Sequence, residues 1–165
     1  MNARKYLVVA LVGLASTGVI ACDEDDDPIE PGPEVFVATL NAANEVATPP
    51  VVSNATGTAR VEFTATGLTF RVTVASIVNI TAAHIHASPT VSPTTNGGVV
   101  LNIINAASTV TNGLLAEGTA TSTNAGNAIS MDSLKVLIRG NHAYVNVHNT
   151  ANPQGHIRGM LVPGQ

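Results

Sequence analysis

From residue 35 onward, hydrophobic and polar positions alternate along much of the chain. The clearest run sets Leu68, Phe70, Val72 and Val74 against Thr69, Arg71 and Thr73. A period of two sends successive side chains to opposite faces, so this run predicts a strand with one buried face. Similar stretches predict strands at 35–42, 58–64, 82–87, 99–104, 115–121, 142–148 and 156–162, with the Leu68 strand extending to 77. Ala65-Thr66-Gly67 is short enough to join the second and third strands in a hairpin. Asn96-Gly97-Gly98, Asn112-Gly113 and Asn152-Pro153-Gln154-Gly155 mark further turns. One stretch departs from the alternation. From Ser130 to Gly140 the chain has a capping serine, an early acid at Asp132, late bases at Lys135 and Arg139, and a final glycine. Those signals predict a short helix near 130–139. The pattern therefore predicts an all-β domain, an antiparallel sandwich or barrel of about eight short strands with one short helix.

The first 34 residues follow other rules. Arg4 and Lys5 precede an uncharged stretch of 16 residues, Tyr6 to Ala21. That is shorter than the roughly 20 apolar residues that span a bilayer, and it has the layout of a secretory signal. It ends in Val19-Ile20-Ala21-Cys22, which resembles the bacterial lipobox, where the thiol is lipidated and becomes the first mature residue. The expected organisation is a lipoprotein signal peptide at 1–21, an acidic, proline-rich tether at 22–34 and a β domain at 35–163. Cys22 is the expected lipidation site and attaches the chain to a bacterial membrane, inner or outer, from outside the cytoplasm. It is also the only cysteine, so lipidation leaves the domain without disulfide, thiolate ligand or thiol nucleophile.

Charge confirms the division. Seven of the 11 acidic residues fall between Asp23 and Glu34, so the net charge of −4 belongs to the tether and the domain itself is near neutral. Like charges interleaved with Pro28, Pro31, Gly32 and Pro33 favour an extended spacer. No basic patch is present, which argues against nucleic acid as a partner.

Histidines supply the candidate chemistry. His84 and His86, two apart on a strand, face the same side with Cα atoms about 6.5 Å apart, within reach of one metal ion. His142, Tyr144, Asn146 and His148 share a face of another predicted strand. If the two faces meet, His84, His86, His142 and His148 converge on a copper or zinc ion, both suited to imidazole. The alternative is a set of hydrogen-bonded or solvated histidines with no ligand. Glu45 and Arg158 are either two unrelated exposed charges or a bidentate ion pair linking the first and last strands. A Gly-x-Ser-x-Gly elbow, a P-loop and a His-Glu-x-x-His helix are all missing from the sequence, so no enzyme activity is expected.

Four segments together resemble the CHRD domain. They are Leu40-Asn41-Ala42-Ala43-Asn44-Glu45-Val46, Ala83-His84-Ile85-His86, the predicted helix ending at Gly140, and the run Ala143 to Gly159, which contains Tyr144-Val145-Asn146-Val147-His148 and Gly155-His156-Ile157-Arg158-Gly159. The resemblance covers about 35–163. It implies a compact all-β extracellular domain, found in chordin-type animal proteins and in bacterial envelope proteins, with no established reaction. Its motif positions fall on Glu45, His84, His86, Tyr144, Asn146, His148, Gly155, Arg158 and Gly159. The chain departs at His156, where the family usually has glutamate; the change removes a polar partner or adds an imidazole. The resulting expectation is a lipid-anchored bacterial envelope protein with a non-enzymatic binding or structural domain, or alternatively a histidine-based copper or zinc module.

Overall fold

The computed structural model describes residues 32–127 and 129–164. The expected signal peptide, Cys22 and the tether up to residue 31 lie outside the described residues. Among the described residues nine strands are present: β1 (Val35–Asn41), β2 (Thr56–Phe63), β3 (Leu68–Ala75), β4 (Ile80–Ala87), β5 (Val99–Ile104), β6 (Gly113–Ala120), β7 (Ala143–Asn149), β8 (Ile157–Met160) and β9 (Val162–Pro163). They form one antiparallel sheet in the order β5-β4-β7-β8-β1-β2-β3-β6, with β9 paired to β1. The sheet curls into a nearly closed barrel, in agreement with the all-β expectation. At the seam, the segment after β6 caps the free edge of β5. Asn124 N–H donates to Val100 O, and Asn102 N–H donates to Asn124 Oδ1 at 2.6 Å. Pairing of this kind removes an exposed strand edge.

The alternation of β3 appears as expected, with Leu68, Val72 and Val74 buried and Arg71 exposed. Its hairpin with β2 is in register from Phe63↔Leu68 to Thr56↔Ala75. The interior is filled by Leu40, Leu68, Val72, Ile80, Ile85, Leu101 and Ile157, among others. The helix α1 (Met131–Arg139) starts on Ser130, whose Oγ accepts from Ser133 N–H at 3.0 Å. It buries Leu134 and Ile138, one turn apart, into the same core. The last expected strand is interrupted. Leu161 is buried and donates its N–H to Ala143 O, which separates β8 from β9.

The strand β7 differs from the others because all seven of its residues are buried. Ala143, Val145 and Val147 belong to the core, and Tyr144, Asn146 and His148 alternate with them. A polar face is therefore covered as completely as an apolar one. Its cover comes from loops, and it is here that the histidines meet.

Candidate metal centre

Register brings the histidines together. In the β4–β7 pair, His84 stands opposite Asn146, His86 opposite Tyr144 and Ala82 opposite His148. His148 is thus a diagonal neighbour of His84, close enough for side chains to touch. His84 Nδ1 lies 3.0 Å from His148 Nε2. One nitrogen from each of His84, His86 and His148 lies within 4.8 Å of the other two. Ligand nitrogens around one ion with bonds near 2.05 Å are about 3.3 Å apart, so small side-chain rotations bring the three into range.

Two main-chain carbonyls fix the ring tautomers. His86 Nδ1 is 2.9 Å from Gly97 O, and His148 Nδ1 is 3.0 Å from Pro153 O. A carbonyl only accepts, so both Nδ1 atoms carry hydrogen and both Nε2 atoms present lone pairs. In the absence of an ion, His84 Nδ1–H donates to His148 Nε2. His86 Nε2 is buried without any hydrogen-bond partner among the described residues. An unsatisfied buried acceptor costs about 1–3 kcal/mol, which a bound cation would recover. Metal-binding histidines commonly donate their second N–H to a carbonyl, as His86 and His148 do here.

Electrostatics keeps the rings neutral. Burial pulls the His84 and His86 pKa values down to about 4; Gly97 O opposes the fall at His86, whereas the neighbouring imidazoles disfavour a second charge at both rings and Arg158 adds to this at His86. His148 is lowered as well, chiefly by burial. Neutral imidazole is the form that binds metal, so at neutral pH protons do not compete for the site.

The flanks are polar and tightly held. Tyr144 stacks on His86 with ring centroids 4.7 Å apart, and Arg158 lies over the other face of Tyr144, its Cζ 3.7 Å from the centroid. Glu45 accepts from Asn146 Nδ2 through both oxygens, at 3.0 and 3.1 Å. Burial raises its pKa to about 7, against the lowering influence of Asn146 and Arg158. Gly155 lets Glu45 and Asn146 approach. Its φ is +143°, and a Cβ there would lie 2.6 Å from both Asn146 Nδ2 and Glu45 Oε2.

Two expectations need correction. His142 is not part of the cluster: it precedes β7, next to Asn141 with φ of 58°, so the strand alternation does not reach it. Its Nδ1 instead faces Val91 O at 2.9 Å. Glu45 and Arg158 form no bidentate pair. The guanidinium donates to Asn96 Oδ1 (2.8 Å), Ser92 O (2.7 Å) and Thr95 O (2.8 Å), all in the loop after β4, and Glu45 turns to Asn146. The two charges influence each other only at longer range. His156 also stays outside the cluster, with Asn152 Nδ2 at 2.8 Å from its Nδ1 and Ser53 Oγ at 3.0 Å from its Nε2.

Sequence reasoning missed the contributions of Gly97, Pro153, Ser92 and Thr95, which act through main-chain carbonyls. A carbonyl carries no side-chain signature, so only the turn signals at Asn96-Gly97-Gly98 and Asn152-Pro153 hinted at them.

The family model described as CHRD domain matches residues 36–161, from the second residue of β1 to the residue after β8, and includes every residue of the histidine cluster. No curated protein and no solved structure matches the chain. With that match spanning most of its length, the chain belongs to the CHRD domain family.

Proposed function

We propose that this chain is a lipid-anchored bacterial envelope protein whose CHRD domain binds a copper or zinc ion through His84, His86 and His148 and catalyses no reaction. The observation that carries the metal reading is the buried lone pair of His86 Nε2, without a partner among the described residues, beside His148, whose Nε2 lone pair also faces the cluster, and His84. Calorimetry on the unit Gly32–Gln165 should record one Cu or Zn ion per chain, bound more tightly than about 1 μM. The double variant His86→Ala/His148→Ala should lose that binding. Affinity weaker than micromolar in the unaltered protein removes the metal reading and leaves a purely structural or protein-binding domain.

The non-enzymatic reading is supported by proton placement at the one serine–histidine side-chain contact among the described residues. Ser53 Oγ lies within hydrogen-bond reach of His156 Nε2, which looks at first like a nucleophile beside a base. However, Asn152 Nδ2 donates to His156 Nδ1, so the ring hydrogen sits on Nε2 and points at the serine. An N–H cannot take the hydroxyl proton.

The anchor rests on the lipobox-like Val19-Ile20-Ala21-Cys22 and the acidic spacer after it. Expression of the full chain in a bacterial host should yield membrane-bound protein that begins at a lipid-modified Cys22, read by mass spectrometry. Soluble protein with a free Cys22 thiol would contradict the anchor.

A further inference from the structure

The column formed by His86, Tyr144 and Arg158 carries the metal reading one step further. The imidazole and phenol rings are nearly parallel, 7° apart, and the guanidinium covers the far side of the phenol. Arg158 is only 1% exposed. Its partners in the loop after β4 are neutral oxygens, and no carboxylate lies within ion-pair distance of it among the described residues. A full positive charge thus stands behind His86, and its repulsion is felt there.

The three ligands offer no charge to offset an ion. All are imidazoles, and the cluster holds no Cys, Asp or Glu among the described residues. A divalent ion would bring two positive charges towards the buried guanidinium without a thiolate or carboxylate among its ligands, Glu45 being held on Asn146 instead, and a monovalent ion brings half that repulsion. Coordination number does not decide between them: three histidines also hold zinc when water fills the fourth position, and Cu(II) favours tetragonal surroundings, so the preference rests on charge.

We propose that the three-histidine site is selective for Cu(I) over Zn(II) and Cu(II), with Arg158 setting the preference through its charge. This rests on the metal reading above. The test uses the chain from residue 22 onward carrying Cys22→Ser, which removes the only thiol, itself a strong Cu(I) ligand. Competition under anaerobic conditions, with bicinchoninate for Cu(I) and a fluorescent chelator for Zn(II), should show Cu(I) bound at least about 100-fold more tightly. Arg158→Gln should narrow that ratio by about tenfold, and Arg158→Lys, which keeps the charge, should preserve it. Equal or tighter binding of Zn(II) by the Arg158-containing chain overturns the selectivity and leaves the three-histidine site standing. An unchanged ratio in a folded Arg158→Gln variant overturns the role of Arg158. If that variant does not fold, the ratio in the Arg158-containing chain decides alone. Binding of neither ion overturns the metal reading itself.

Discussion

Arg158→Ala should lower the unfolding free energy by about 2–4 kcal/mol, the cost of emptying a buried site and leaving several acceptors without their donor. Three causes combine. The loop after β4 loses the donor that holds Ser92 O, Thr95 O and Asn96 Oδ1. Tyr144 loses the guanidinium packed 3.7 Å above its ring. Glu45, already pushed up to about 7 by burial, loses a positive neighbour that favours its ionised form. Because Gly97 O orients His86 from the same loop, metal affinity should fall together with stability. Chemical denaturation at neutral pH checks the first effect. A loss below about 1 kcal/mol would mean that the guanidinium is solvated in solution rather than buried.

Acid should destabilise the metal-free domain well before carboxylate titration is complete. His84 and His86 have folded pKa values near 4, against 6.5 when unfolded. The unfolded chain therefore binds more protons between those limits, and the stability these rings contribute is full above about pH 6.5 and lost as pH falls towards 4. Glu45 acts in the opposite sense. Its raised pKa favours the folded state below 4.5, and that contribution disappears as pH rises through 7. His148 reinforces the other two rings. With partial exposure of His84 discounted, the net loss from pH 6.5 to 4 is roughly 2–3 kcal/mol. Urea midpoints measured across this range should fall with acid, and a bound ion should delay the fall by holding the imidazoles unprotonated. A midpoint that is flat or rises towards pH 4 would show the histidines to be hydrated.

The strands were legible because burial on one side writes a period of two into residues such as Leu68, Val72 and Val74. The helix was legible from Ser130 and Gly140 at its ends. What alternation cannot supply is the register of non-neighbouring segments. That His84 and His86 share a face follows from the sequence, but that β4 pairs with β7 so that His84 meets His148 follows only from the assembled barrel. The same limit explains His142. One positive-φ residue, Asn141, ends the periodicity just before it, and neither the motif nor the spacing shows where a strand begins to within one residue. For Arg158 and Glu45 the sequence offers only unrelated charges or a mutual pair, because complementary charge is visible in a sequence and backbone acceptors are not.

The central claim is that His84, His86 and His148 coordinate one ion together. X-ray absorption of the copper-loaded chain carrying Cys22→Ser tests it most directly. The predicted spectrum has three nitrogen neighbours at about 2.0 Å with the outer-shell scattering of imidazole rings, and both features vanish in His86→Ala/His148→Ala. An unchanged spectrum in that variant, or a shell made of oxygen alone, would place the ion elsewhere and contradict the account.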